Sequence, residues 1–267
     1  MEAKANNISE LVSFGGAYSN HIHALAVAAK YYGFKTHGII RGEYDPHNPT
    51  IQDVIAAGMK LEFVTRLEYK QRHDQDYLAK IAQRFPDALI IPEGGTCPSA
   101  LTGVAEIMQE LAPHNVDYIC TPCGSGGTTA GLLSAQHSNT DIISIPVLKK
   151  AAYLKQQIID LVDKPALEQK LQFLEGYHFG GYGKFTPELL SFIEDFYQRF
   201  NIQLEPIYSA KMVYAVFDLI EQGHFPRGSH IVLLHTGGLQ GLNGLIQRKL
   251  LPEQWINWHR NENTTNS

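Results

Sequence analysis

The sequence predicts an α/β protein in two domains, each a parallel sheet covered by helices. Two observations predict it. Short apolar runs alternate with longer amphipathic runs along most of the chain, the pattern of strand–helix units that bury both faces of a parallel sheet. A second such series starts after Pro113, His114 and Asn115, which read as a connection. The expected domains are residues 1–112, the smaller, and residues 113–267. A chain of 267 residues is long enough to bury a core in each.

The first series opens with an apolar run at 11–14 that runs into Gly15-Gly16. Residues 19–32 then read as a helix, with Ser19 as N-cap and Gly33 as the C-terminal stop. A strand at 35–40, a helix at 50–57 ended by Gly58, and a strand at 60–64 follow. A helix at 77–84, a strand at 88–91 closed by Pro92 and a helix at 98–111 complete the series. In the second series, residues 116–121 are a strand, the loop 122–127 leads into a helix at 128–136, and 141–147 is a strand. Two or three helices span 151–220, with a short strand at 171–174. The strand 230–235 leads through Gly237-Gly238 to a final helix, and the polar residues after Trp258 read as a frayed tail. Ligands of such folds sit at the carboxyl ends of the strands. The loops 15–20, 122–129 and 236–240 are therefore expected to face one cleft.

Composition narrows the function classes. The net charge is −5, the pI is about 6.2 and no basic run occurs, which argues against a nucleic-acid partner. No apolar stretch reaches the roughly 18 residues of a membrane span. The first ten residues hold no apolar signal core, so a cytoplasmic protein is expected. Cys97, Cys120 and Cys123 are too few for a disulfide framework. Cys120 and Cys123 form a C-x-x-C, but without a second ligand pair the favoured reading is a strand end and a loop start, and no metal is expected.

Four motifs carry chemistry. In Cys123-Gly124-Ser125-Gly126-Gly127-Thr128-Thr129, three glycines in four residues lead into a helix. Such a turn aims backbone N–H groups into one concavity at a helix N-terminus, a phosphate site, with hydroxyls at Ser125, Thr128 and Thr129. It fits neither the triphosphate nor the dinucleotide glycine pattern, so a small phosphate monoester is preferred over a plain turn. Ser13-Phe14-Gly15-Gly16-Ala17-Tyr18-Ser19-Asn20-His21 is a second strand–loop–helix junction, fit for a carboxylate or a ring hydroxyl, or for N-capping alone. His235-Thr236-Gly237-Gly238 offers one hydroxyl after a strand. Glu205-Pro206-Ile207-Tyr208-Ser209-Ala210-Lys211 places Tyr208 ahead of a helix that Ser209 caps, and Gly180-Gly181-Tyr182-Gly183 holds a tyrosine in a glycine turn. Such tyrosines stack on a ring, transfer a proton, or simply pack.

In order and spacing these motifs, with Ile91-Pro92-Glu93-Gly94-Gly95, resemble the fold-type-II pyridoxal-phosphate enzymes, which are tryptophan synthase beta-like. Among these, the chain resembles the D-cysteine desulfhydrase and 1-aminocyclopropane-1-carboxylate deaminase group over nearly its whole length. The resemblance implies pyridoxal 5'-phosphate as cofactor, a small amino-acid substrate and a homodimer. It implies that Gly124, Ser125, Gly126, Gly127 and Thr128 form the phosphate cup. Asn20 would meet the cofactor's 3-hydroxyl and Thr236 its pyridine nitrogen. Ser19, Asn20 and His21 would hold the substrate, with Ser19 assisting proton transfer, and Tyr182 and Tyr208 would be the catalytic aromatic pair. Ser209 and Thr236 stand where the cyclopropane-opening deaminases resemble one another in carrying glutamate and leucine. The implied reaction is therefore α,β-elimination from a substrate such as D-cysteine, giving pyruvate, ammonia and sulfide. The family's Schiff-base lysine lies about one helix upstream of the Ser13 motif. Here twelve residues precede Ser13 and hold only Lys4, so a truncated chain, inactive by itself, is expected. The alternatives are a non-catalytic phosphate-ligand or cofactor binder and a 1-aminocyclopropane-1-carboxylate deaminase.

Overall fold

The computed structural model describes residues 2–6, 8–136 and 139–255; the polar tail after Trp258 lies outside them. Two compact units form. The first holds the residues up to Gly95 together with those from Gln240 onward, and the second runs from Thr96 to Leu239.

In the first unit the elements are α1 (Glu2–Ala5), β1 (Glu10–Gly16), α2 (Asn20–Tyr32), β2 (Lys35–Arg41), α3 (Pro49–Ala56), β3 (Lys60–Val64), α4 (Arg66–Tyr69), α5 (Gln75–Arg84) and β4 (Ala88–Ile91). The strands pair in parallel in the order β3-β2-β1-β4. Because side chains alternate across a strand, Ile39 and Ile40 serve opposite faces. Ile39 packs with Val12, Phe14, Val64, Tyr77 and Ile81, while Ile40 packs with Ile22, Ala26, Ile51, Val54 and Met59. Helix starts follow side-chain capping: Asn48 accepts from the Ile51 N–H and Asp74 from the Tyr77 N–H.

The second unit holds α6 (Pro98–Leu111), β5 (Tyr118–Cys123), α7 (Gly127–Ser134), β6 (Asp141–Pro146), α8 (Ala152–Val162), β7 (Leu171–Phe173), α9 (Pro187–Phe200), α10 (Ser209–Glu221) and β8 (Ile231–Leu233). Its parallel order is β7-β6-β5-β8. Ile119, Leu132, Leu133, Ile142 and Ile158 are fully or almost fully buried at its core. Helix α11 (Gly241–Gln247) returns to the first unit.

The compact units divide elsewhere than the expected boundary at 112. Helix α6 belongs with the second unit because Leu101, Val104, Ile107 and Met108 pack on that unit's core. A Cβ on Gly131 would lie 2.3 Å from that of Val104, so α6 and α7 pack almost backbone to backbone. Helix α11 leaves the second series because Gly244 lies against the Tyr18 ring. Both Cys120 and Cys123 lie on β5 and are buried, free thiols. Burial pushes the Cys120 thiol up to about 12 and raises that of Cys123, which leaves both as packing residues. Among the described residues no group of three or more His, Cys, Asp or Glu could hold a metal ion.

Candidate functional site

Both strand orders reverse at one strand, β1 in the first unit and β5 in the second, where the chain turns back to add β4 or β8. Crevices outside the carboxyl ends of strands at such switch points are the ligand sites of open α/β sheets. The loop after β1 carries Ser19 and Asn20, the loop after β5 carries residues 124–126, and the loop after β8 carries Thr236.

In the first unit, Ser19 is the extended N-cap of α2 and accepts the Ile22 N–H at 3.3 Å. Its own hydroxyl hydrogen remains to be donated. A Cβ on Gly15 would fall 2.3 Å from Ile22 Cγ1, so only glycine lets the loop fold this tightly onto the helix start. Asn20 Oδ1 accepts from Gln240 Nε2 at 2.9 Å. With its oxygen engaged, the Asn20 amide turns its two N–H donors the other way. Sequence reasoning missed Gln240 as that partner, because the contact joins positions 220 residues apart.

His21 Nε2 lies 2.7 Å from Ser13 Oγ, and Ser13 Oγ donates to the Ile91 carbonyl at 2.8 Å. A hydroxyl has one hydrogen, so His21 carries its proton on Nε2 and donates to Ser13. Burial lowers the His21 pKa below its ordinary value, against the opposing pull of Glu93, so the ring is held neutral. Lys4 sits with Nζ 5.6 Å from the Tyr32 ring centroid and 5.9 Å from that of Phe34. Those rings lie at the far end of α2 from Ser19 and Asn20, about 20 Å along a helix of this length.

In the second unit, Gly126 takes a left-handed conformation (φ 87°) as the residue before α7, and no side chain caps that helix. Each glycine of the turn is packed from behind. A Cβ on Gly124 would meet the Tyr208 ring at 3.0 Å, on Gly126 it would meet Ile158 at 2.8 Å, and on Gly127 it would meet Thr96 Oγ1 at 2.9 Å. The front of the turn is therefore backbone, with exposed Ser125 and half-buried Thr128 on it. Thr96 donates to Ser125 Oγ at 2.7 Å, which leaves the Ser125 hydrogen for an incoming acceptor. Thr129 does not share this role: it is buried and bonded to Ser144 at 2.9 Å.

The two tyrosines come together. Tyr208 donates its hydroxyl to that of Tyr182 at 3.2 Å, with ring centroids 5.9 Å apart and edge to face. Tyr208, not Ser209, holds the N-cap position of α10. The cap itself is the buried Glu205 carboxylate, which accepts the N–H groups of Ile207 (2.7 Å), Tyr208 (2.8 Å) and Ser209 (2.6 Å). Burial raises the Glu205 pKa, while the backbone N–H groups of Ser209, Ile207 and Tyr208 pull it back. The Ser209 hydroxyl is spent locally, accepting the Glu205 N–H and donating to the Glu205 carbonyl. Lys211 is fully buried and donates to the Gly181 carbonyl at 3.0 Å. Thr236 is exposed on its turn. That turn is pinned by His235, which pairs through Nε2 with the Gln203 carbonyl at 3.0 Å and accepts the Gly237 N–H on Nδ1 at 3.1 Å.

The chain is similar to known proteins over most of its length. The chain is 26% identical over 276 residues to a 1-aminocyclopropane-1-carboxylate deaminase of Rhizobium radiobacter, covering 91% of this chain and 80% of that one. It is 25% identical over 288 residues to the mitochondrial bifunctional D-cysteine desulfhydrase/1-aminocyclopropane-1-carboxylate deaminase of Arabidopsis thaliana, covering 97% and 70%. The crystal structure of an ACC deaminase homologue shares the fold, with a TM-score of 0.78 at 24% identity over 94% of this chain and 81% of that one. The family described as pyridoxal-phosphate dependent enzyme matches residues 3–237, and the chain belongs to that family.

Proposed function

We propose that this protein carries out D-cysteine desulfhydrase-like α,β-elimination, releasing pyruvate, ammonia and sulfide from a small amino acid. The carrying observation is the turn before α7, whose front is bare backbone and whose helix start is left uncapped. It suits a phosphate dianion, because the first N–H groups of the helix and the helix dipole converge there. When bound, pyridoxal phosphate supplies the electron sink for bond breaking at the substrate's α-carbon.

The chain's own residues take the remaining roles. Gly124, Ser125, Gly126, Gly127 and Thr128 hold the phosphate. Asn20, oriented by Gln240, donates to the 3-hydroxyl oxygen, and Thr236 meets the pyridine nitrogen with a hydroxyl. Ser19 donates to the substrate carboxylate beside the first N–H groups of α2, with Asn20 and His21 completing that end. Tyr182 and Tyr208 share one hydroxyl–hydroxyl bond, so a proton placed on one is relayed to the other; they serve the proton transfers at the reacting carbon. Thr236, together with the lack of a carboxylate at position 209, separates elimination from cyclopropane opening, since a hydroxyl leaves the ring nitrogen less protonated than a carboxylate would. The Ser209 hydroxyl itself takes no part, being consumed at the helix start. A cytoplasmic homodimer completes the proposal; among the described residues no helix is long and apolar enough to cross a membrane.

The test pairs binding with turnover. Pyridoxal phosphate is expected to bind at least about tenfold tighter than pyridoxal, the worth of one charge-assisted hydrogen bond; equal affinity would overturn the phosphate cup. Pyruvate from D-cysteine supports elimination. Product from 1-aminocyclopropane-1-carboxylate with none from D-cysteine moves the assignment to the ring-opening deaminases. A second reading, a non-catalytic cofactor binder, is favoured by the positions of Lys4 and Lys211: one lies at the wrong end of α2 and the other is committed to Gly181. Borohydride treatment with the cofactor separates the two, since that reading requires that no lysine be labelled.

A further inference from the structure

Tyr182 stands on a turn with little stiffness of its own. Gly180, Gly181 and Gly183 all have positive φ, at 96°, 111° and 66°, and glycine gives up more chain entropy than any other residue when it is ordered. Within the turn, Gly180 N–H donates to His178 Nδ1 at 3.1 Å, and Gly181 N–H to the His178 carbonyl at 3.0 Å. These bonds close the turn on itself without fixing where it points. Entering the turn, Tyr177 donates to Asp218 and the Phe179 ring lies edge-on to Tyr214, both on α10; within the turn, the Lys211 ammonium donates to the Gly181 carbonyl from the first turn of that helix.

Tyr208 sits at the start of that same helix, and its hydroxyl meets that of Tyr182. One helical turn therefore carries one tyrosine and the peg for the other. Lys211 is fully buried and makes this hydrogen bond beside the Glu205 carboxylate. A buried ammonium is expensive to maintain, and a hydrophobic residue would fill the space at less cost. From this geometry we infer that Lys211 is a positioning residue: it clamps the Gly180–Gly183 turn to the start of α10 and so sets the register of the Tyr182–Tyr208 pair. Only the catalytic meaning of that pair rests on the elimination reading; the clamp does not.

The test uses the full chain without cofactor, so failure to bind pyridoxal phosphate would sink the proposed function and leave the clamp untouched. Hydrogen exchange is followed across residues 178–184 and 209–221 in the unmodified protein, in K211M and in K211R. In K211M the turn is expected to exchange about tenfold faster, the loss of one charge-assisted hydrogen bond, while the helix stays within about twofold. Magnetisation transfer between the Tyr182 and Tyr208 rings should weaken in parallel, and K211R should restore both signals in part. If K211M does not fold, the unmodified protein decides. Burial, against the pull of Glu205, lowers the Lys211 pKa to about 8, so ring-to-ring transfer should weaken as pH rises through that value. Lys149, His178 and Lys184, which line the turn from the other side, are controlled for by single neutral variants. Turn and helix loosening to the same extent, or ring contacts that ignore both the substitution and the pH, would make Lys211 a packing residue and overturn the inference.

Discussion

Helices α7 and α10 begin within one unit and under one constraint, yet they are finished differently. Each leaves its first N–H groups without partners inside the helix. At α10 the chain supplies its own anion: the buried Glu205 carboxylate gathers the Ser209 N–H, the first of the helix, together with those of Tyr208 and Ile207 just ahead of it. At α7 no side chain caps the start, and Gly126 in a left-handed conformation opens the turn instead. A helix start closed by the protein contributes stability, and one left open by a glycine turn keeps its electrostatic attraction for an outside anion. The two helix starts touch, since Gly124 lies against the Tyr208 ring. The closed start of α10 thus forms part of the wall behind the open start of α7.

The largest expected effect comes from breaking the closed start. Glu205→Gln replaces one accepting oxygen by an amide that faces a backbone N–H, and leaves the Lys211 ammonium buried without its counter-charge. One buried N–H is left facing an amide N–H and the remaining bonds lose their charge assistance, which together cost about 3 kcal/mol, so the midpoint of thermal unfolding should fall on the order of 10 °C. A fall of a degree or two would show that solvent reaches the start of α10.

Next in size is the pH response of the same pair. The folded Lys211 pKa, about 8, lies below its ordinary value of 10.5, so between those values the unfolded chain binds more protons than the folded one. Stability therefore rises with pH across that window, and the penalty for the buried charge is fully present below it. The gain is about 3 kcal/mol between pH 8 and 10.5. Chemical denaturation across this range should show a rise that K211M lacks. Parallel curves for the two proteins would mean that the lysine stays charged.

Altering the open start of α7 gives a smaller effect, and on binding. Gly126→Ala must hold an alanine at φ 87° with its Cβ 2.8 Å from Ile158 Cγ1. The left-handed conformation alone costs about 1–2 kcal/mol, and relaxing it rotates the N–H groups of the cup. Pyridoxal phosphate affinity is expected to fall about thirtyfold, the loss of one to two charge-assisted hydrogen bonds, with pyridoxal affinity nearly unchanged. Equal losses for both compounds would place the phosphate elsewhere.

What the sequence made legible follows the same division. Turns announce themselves locally: the left-handed glycines at 33 and 126, the extended cap at Ser19 and the strands 60–64 and 88–91 all fall where composition and periodicity place them. The four-residue helix α4 is too short for a period to show. Contacts between distant positions carry no local mark, so the Gln240 partner of Asn20 and the assignment of α6 to the second unit emerge only in the folded chain. Glu205 is partly legible. An acidic residue near a helix start is favoured by the helix dipole, but Ser209, the first residue of the helix, reads as the cap from sequence and is instead bonded back to Glu205. The burial of Lys211 runs against the expectation that a lysine early in a helix faces water.

The start of α2 tests the comparison from a third side, because there side chains rather than backbone face outward. If Gln240 matters only through Asn20, then Gln240→Leu should weaken cofactor binding by releasing the Asn20 amide to rotate. Asn20→Ala should weaken it further, about tenfold, and the double variant should bind no worse than Asn20→Ala alone. That non-additivity corresponds to a coupling of about 1 kcal/mol, the usual net worth of a neutral hydrogen bond. Titration of pyridoxal phosphate into the four proteins closes the cycle, with thermal unfolding as the check that α11 still packs on α3. Additive losses would show that Gln240 acts by holding its helix in place, and the first unit would then present Asn20 without a built-in orientation. Coupled losses would show that the chain fixes a single side-chain donor at α2 as firmly as glycine geometry fixes the backbone donors at α7.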